Sequence, residues 1–470
     1  MLETQVLETR VSESQVLETQ GRLLLSGSNQ WNSRGVSSLP AREPLQGAFF
    51  WLSAFYLVYC ARPEDWIPGL GHIPLAKITG ILAFLALLMS IGRTKRSFRD
   101  LPREGRYLIA LICILVPSSL LSPVWRGGAL THSLDFAKVS VAFVLTFLLV
   151  TTFDRLRRII FIQAASVAVI AVVSIVKGRG VDRLEGVLGG IYSNSNDLAF
   201  AIVLSLPFCL AFLLRTPSMA RKALWMGCML VMLAALFRTA SRAGFIELVI
   251  AGSVCLWHFG VQGKRPRLIV ATVVIGAALL IGAGGPIKSR FLAISGNVNS
   301  SLDQRAYGSY QERLDLINDS LRGMARYPIF GVGVHNFVVY SGRWKEVHDA
   351  YLQMGVEGGI PALILYLLFF WCGFSNLRRL RKMPDLDPEI TLFVGALHSS
   401  LIGFVVGALF APEAYQFFPY FAVAQTSVIW AIVREQGVEP KLPQRMSKFS
   451  WHDRRPRLAN GVPNPAPVGR

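Results

Sequence analysis

The chain has 470 residues, of which 52% are hydrophobic and only 16% charged, and its mean hydropathy is +0.44. Soluble domains average roughly 25% charged residues, so this composition excludes an ordinary soluble enzyme and points to a bilayer. The net charge is +19, from 48 basic against 29 acidic residues, but the basic residues sit in short links between apolar runs. That is the signature of a cytoplasmic membrane face rather than of a nucleic-acid binder.

Residues 1–45 are polar and repeat VLET at 6–9 and 16–19. The apolar stretch at 23–25 is too short for a signal-peptide core, and the segment reads as a disordered cytoplasmic tail. Twelve apolar runs follow, at 47–62, 74–92, 106–122, 134–152, 159–176, 197–214, 222–238, 243–261, 267–285, 356–376, 390–410 and 415–433. A backbone in lipid must satisfy its own hydrogen bonds, so these runs are expected to be helices of one polytopic domain spanning 46–435. The links after the even-numbered runs are basic, among them GRTKRSFRDLPREGR, FDRLRR and NLRRLRKMPD, and the tail at 436–470 is basic too. Links after the odd-numbered runs, such as SPVWRGGALTHSLD and APEAYQ, are more neutral. Both termini are therefore expected in the cytoplasm.

The link at 286–355 is long and polar, and falls on the non-cytoplasmic side. Loops longer than about 12–15 residues usually have a function. Ser309-Tyr310-Gln311-Glu312 matches a capping box. Behind it Leu314, Ile317, Leu321 and Met324 recur at helical spacing, and Pro328 stops the pattern. This predicts an amphipathic helix lying with one greasy stripe on the bundle. The six cysteines all fall in or at the ends of apolar runs, with no CxxC, so neither a disulfide framework nor a metal site is implied.

Polar residues gather at the ends of runs that share this face. DRLEGVLGGIYSNSNDLAF carries Arg183, Asn194 and Asn196, and FRTASRAGF carries Arg238, Thr239, Ser241 and Arg242. The loop adds Arg313 in SYQERLDL, His335 in PIFGVGVHNF, and His348 and Glu357 in VHDAYLQMGVEGGIPAL. Arginine offers a planar fork of fixed charge that suits phosphate oxygens. Several at a lipid boundary suit a lipid-linked diphosphate whose isoprenoid tail lies between helices. A histidine beside them suits proton transfer near neutrality. Singly, each has a plainer reading: Arg238 as an interfacial anchor, His335 as a solvated loop residue, the glycines of GVGVHNF as turn formers, and His398 in the eleventh run as a helix–helix hydrogen bonder.

The ordered set RLEGVLGGIYSNSNDLA, TASRAG, SYQERLDL, PIFGVGVHNF and HDAYLQMGVEGGIPAL, over about residues 180–370, resembles the O-antigen ligases and O-antigen polymerases of bacterial envelope polysaccharides. The resemblance implies an all-α, GT-C-like inner-membrane glycosyltransferase of about twelve transmembrane helices, with a large partly helical periplasmic loop between helices 9 and 10. It implies an undecaprenyl-diphosphate-linked glycan donor and an acceptor hydroxyl on lipid A core, growing polysaccharide or protein. It further implies transfer usually with inversion, without metal, nucleotide or other cofactor. Position by position, it implies His348 as the catalytic residue and Arg242, Arg313 and Arg183 as ligands of the donor diphosphate. It implies Asn196, Ser241, Arg238 and Glu357 as the supporting polar residues. The sequence departs from the family in having His348-Asp349 where His-Asn or His-Ser is usual; a carboxylate there is expected either to orient the imidazole and raise its pKa or to mark a different acceptor. A multi-pass polysaccharide or lipid transporter is the alternative. It finds less support, because no repeat relates the two halves and few ionisable residues lie deep in the runs, Lys138 and Glu247 being the main ones.

Overall fold

The computed structural model describes residues 45–180, 184, 189–274 and 301–437, without the side chains of Ile91 and 301–310. The expected N-terminal tail, Arg183, most of the ninth run and the basic C-terminal tail lie outside the described residues. The chain divides into Met1–Gln46 and Gly47–Arg470, and the helical bundle belongs to the second unit.

Among the described residues the secondary structure is helical throughout. The long helices are α1 (Gln46–Ala61), α2 (Leu75–Leu88), α3 (Arg103–Leu120), α4 (Arg126–Leu149), α5 (Phe153–Lys177), α6 (Ser195–Arg215), α7 (Met219–Thr239), α8 (Arg242–Cys255), α9 (Ser301–Arg326), α10 (Ala350–Arg381), α11 (Pro388–Gly407) and α12 (Phe417–Glu435). A π turn, Leu256–Gln262, continues α8. Eleven of the twelve apolar runs fall on α1–α8 and α10–α12. Of the ninth, residues 267–274 are helical and the rest is not described.

Eight of these helices are long and apolar enough to cross a membrane: α4–α7, α8 with its π turn, and α10–α12. The protein is therefore a multi-pass membrane protein. Three expected spans are shorter or more charged than these eight. At 1.5 Å per residue, the 16 residues of α1 and 14 of α2 reach only about 24 and 21 Å. The first turn of α3 carries Arg103, Glu104 and Arg106.

Polar side chains tie the helices where lipid offers no alternative partner. Tyr56 and Thr146 hydroxyls join α1 to α4 at 2.9 Å. Gln425 Nε2 donates to Gln163 Oε1 at 2.9 Å, joining α12 to α5. Ser400 Oγ donates to the Leu204 carbonyl, joining α11 to α6. The expected role of His398 is seen directly: its Nδ1 lies 2.9 Å from His258 Nε2 on the π turn of α8.

The long polar segment before α10 departs from its sequence reading in two ways. First, α9 is already helical at Ser301, so Ser309 lies inside it rather than capping it. The S-x-x-E pattern is also compatible with a helix interior, and spacing alone could not choose. Second, the expected stripe is not the buried face. Leu314, Ile317 and Leu321 are 37, 37 and 50% exposed, whereas Leu316 and Ser320 are buried. Leu316 packs with Val332, Phe337, Val347 and Val356, with Met324 against them. At Gly323 a Cβ would come within 2.6 Å of the Val356 side chain, so the missing side chain is what lets α9 approach α10.

A break in α10 holds the rest of the loop. Pro361 has no N–H to give the Glu357 carbonyl, and the Ile360 N–H turns instead to the Pro328 carbonyl at 2.8 Å. The Val356 and Glu357 carbonyls are thereby freed. They accept from the Val332 and Gly333 N–H groups at 2.8 and 2.9 Å, so 331–334 threads through the kink. Gly359 sits at φ 83°, and a Cβ there would meet the Ile329 carbonyl oxygen at 2.3 Å. The expectation that the GVGVHNF glycines form turns holds, with Gly331 at φ 65° and Gly333 at φ 95°. Ser122 and Asn336 complete the anchorage: Ser122 Oγ donates to the Val332 carbonyl at 2.6 Å and accepts from Asn336 Nδ2 at 2.7 Å.

Candidate functional site

The loop after the kink is drawn onto α9 by charge. Arg343 reaches Asp315 at 3.1 Å and Asp319 at 2.9 Å, and Lys345 pairs with Glu312. Each exposed pair is worth little alone, but together they fix the path of 343–348 along α9. That path brings His348 beside Arg313.

His348, Arg313 and Arg242 form one neighbourhood. The half-buried Arg313 guanidinium feels the Arg242 charge, and His348 feels that of Arg313. Burial first, then Arg242, hold Arg313 below its ordinary value. Burial first, then Arg313, hold the His348 imidazole below 6.5, with Glu346 and Glu312 pulling the other way. Both causes disfavour the imidazolium, the direction a proton acceptor needs. Its Nδ1 is buried without a hydrogen-bond partner among the described residues. Arg242 is the first residue of α8, where the N-terminal N–H groups and helix dipole add to the positive potential.

Two of the expected supporting residues meet. Ser241 caps α8, accepting from the Gly244 N–H at 3.0 Å, and donates to Asn196 Oδ1 at 2.7 Å. Asn194 caps α6 by accepting from the Asn196 N–H at 3.0 Å. The starts of α6 and α8 are therefore locked together, one residue from Arg242. Arg238 instead donates to the Gly178 carbonyl at 2.8 Å, at the end of α5. Glu357 is buried in the kink and accepts from the Tyr415 hydroxyl at 2.7 Å. Arg183 lies outside the described residues.

The expectation that Asp349 orients the imidazole is corrected. Its carboxylate accepts from the Tyr351 and Leu352 N–H groups at 2.8 and 2.9 Å and so caps α10, and His348 is lowered rather than raised. Asn, Ser and Asp are all strong N-caps. The substitution from His-Asn or His-Ser therefore preserves the local structure.

Sequence reading looked for cations and missed the acids. Glu346 lies 3.6 Å from His335 Nδ1 and also acts on His348, Asp197 and Glu413. Glu413 is fully buried, and neither carboxyl oxygen receives a donor among the described residues. Burial first, then Asp197, push it well above the usual carboxylate range. It belongs to the link whose APEAYQ sequence read as near neutral. His335 stacks between His132 and Tyr415, with ring centroids 4.4 and 5.3 Å away. Burial lowers its imidazole, but the nearby Glu346 and Glu357 carboxylates together outweigh this and raise it. Two histidines on one loop are thus pushed apart, His348 toward neutral and His335 toward charged. The only sequence signal was the acid two residues before His348. Among the described residues, no group of three or more His, Cys, Asp or Glu side chains could hold a metal ion.

A multi-pass helical membrane protein with an arginine–histidine cluster under one long loop is the class defined by these features. The family described as O-antigen ligase matches residues 227–367, under a third of the chain. The match runs from α7 through α9 into α10 and includes Arg242, Arg313 and His348. Over that stretch the chain is similar to the O-antigen ligase family, which supports the O-antigen ligase and polymerase superfamily. No curated protein matches the chain.

Proposed function

We propose that the protein transfers a glycan from an undecaprenyl-diphosphate-linked donor to an acceptor hydroxyl at the membrane face carrying Arg242, Arg313 and His348. The observation that carries this reading is their convergence from α8, α9 and the loop before α10, near enough that the Arg242 charge acts on Arg313 and the Arg313 charge on His348. In this reading twelve helices cross a bacterial inner membrane in a GT-C-like arrangement, the loop is periplasmic and both termini are cytoplasmic.

The acceptor oxygen attacks the anomeric carbon as His348 removes its proton, since a hydroxyl is a poor nucleophile while it keeps that proton. The bond from the anomeric carbon to the phosphate oxygen breaks, and undecaprenyl diphosphate leaves with the bonding pair. Arg242 and Arg313 stabilise the growing charge without protonating it. A single displacement inverts the anomeric centre and needs no metal. The imidazolium then returns its proton to solvent. Glycan transfer in membrane vesicles tests the reading: His348→Ala and Arg242→Gln, normally inserted, are expected to lose transfer by at least about a hundredfold. Full transfer by either variant overturns it.

Ligase and polymerase differ in acceptor. Deleting the gene and examining the lipopolysaccharide separates them: loss of all polymer from the core marks a ligase, and core bearing a single repeat unit marks a polymerase. A transporter has one observation in its favour, the acids within the bundle. Glu247 and Glu413 are buried, and each has carboxyl oxygen without a hydrogen-bond partner among the described residues, as in proton-coupled carriers. Transfer activity in a detergent-solubilised preparation, where no compartment exists, favours the enzyme.

A further inference from the structure

At the end of the bundle away from His348, the π turn of α8, the last turn of α10 and the start of α11 enclose a cavity of about 850 Å³. It is remote from the arginine–histidine cluster. Arg242 opens α8 and Gln262 closes its π turn, 20 residues later, or about 30 Å at 1.5 Å per residue.

Five cations line this cavity, Arg215, Arg265, Arg378, Arg381 and Lys382, against one carboxylate, Glu389. Glu389 is already committed: it accepts from Arg157 Nη1 at 3.1 Å and pairs with Arg215. Arg265, Arg378, Arg381 and Lys382 have no carboxylate partner among the described residues. His258 is also committed, through Gln262 and His398. Four uncompensated cations from two elements thus face one concave space, an arrangement that raises the local potential and favours an anion. The negative end of the α10 dipole offsets this only in part. Phe259, Leu380, Met383 and Leu392 supply apolar wall beside the charges.

We propose that this cleft binds the phosphate headgroup of an anionic phospholipid from the adjoining leaflet. Its volume falls in the range of small-molecule sites. Basic pockets between transmembrane helices recognise such headgroups through arginine forks on phosphate oxygens. A general belt of positive charge at helix ends would not distinguish positions on one helix, and here the positions differ. Arg379 shares the end of α10, but its guanidinium rests over the Trp430 ring, 5.6 Å from the centroid, and does not line the cleft.

The test uses the full chain in nanodiscs of phosphatidylethanolamine with and without phosphatidylglycerol. Retained lipid is counted by native mass spectrometry, and melting is followed in parallel. Wild type is expected to retain phosphatidylglycerol and to melt higher in its presence. Arg265→Gln and Arg381→Gln, on different elements, are each expected to weaken retention about fivefold, while Arg379→Gln leaves it unchanged. Equal loss in Arg379→Gln overturns the proposal, as does equal retention of phosphatidylethanolamine. So does the same stabilisation by inorganic phosphate alone, which would indicate a free-anion site. None of these readouts depends on glycan transfer.

Discussion

The Gly333 N–H donates to the Glu357 carbonyl at 2.9 Å, through a gap that exists because Pro361 cannot fill it. The long loop and the broken helix are therefore one structural unit, and the side chain of Glu357 is fixed by the same break. Gly331→Ala and Gly359→Ala test this. Each adds a Cβ at positive φ within 2.5 Å of backbone, at Glu357 and Ile329 respectively. Strain of this kind costs about 1–3 kcal/mol per residue, and the clash adds to it. Both variants are expected to lower the melting temperature and expose the loop to protease. Gly342→Ala, also at positive φ but in open space, should be milder.

The pH dependence of transfer reports on His348. As a base it must be neutral, so the rate is expected to rise with pH through its pKa and then level. Because that pKa lies below 6.5, activity should persist below pH 6.5. Arg313→Gln removes a charge that lowers the pKa, so the acid limb moves to higher pH. Glu346→Gln removes one that raises it, so the limb moves to lower pH. The position of the limb, not its height, is the measurement. Limbs that stay in place in both variants would remove His348 from the role.

Asp349 separates capping from catalysis. Asp349→Asn keeps an acceptor for the Tyr351 and Leu352 N–H groups and is expected to retain both stability and transfer. Asp349→Ala should cost about 1 kcal/mol of stability, read by thermal melting. If Asp349→Asn instead abolishes transfer in a normally folded protein, the carboxylate has a chemical role after all.

Arg242 and Arg238 lie four residues apart but are expected to behave differently. Arg242→Lys keeps the charge and loses the fork, so binding of farnesyl diphosphate as a donor mimic should weaken while stability holds. Arg238→Gln loses the bond to the Gly178 carbonyl, so melting should fall while diphosphate affinity is retained. The reverse pattern would exchange their assignments.

Much of this was legible in the sequence because bilayer physics leaves few options. Apolar runs marked helices, and motif order brought TASRAG, SYQER and HDAYL to one end. The buried face of α9 was not legible: Leu316, Ser320 and Gly323 include a hydroxyl and no side chain at all, so a search for large apolar residues selected the exposed neighbours. The threading of 331–334 through α10 depends on hydrogen bonds between segments about 25 residues apart, although the unusual Gly358-Gly359-Ile360-Pro361 run was its local mark. Glu346 and Glu413 were passed over because isolated acids in polar links normally face water. Only packing shows that Glu413 does not.

The dependence of α10 on later residues has a consequence for biosynthesis. The Ala350 N–H that follows His348 and Asp349 donates to the Ala408 carbonyl at 2.7 Å, the Tyr351 hydroxyl donates to that of Val405, and Glu357 waits for Tyr415. A nascent chain halted after α10 would hold Arg242, Arg313 and His348 without the later residues that hold the start of α10. At about 5–20 residues per second, the ribosome adds the missing 34 residues, from Arg381 to Tyr415, within seconds. During that interval the start of α10 lacks its bonds to Ala408, Val405 and Tyr415, so the proposed site is complete only once the last two helices are in place.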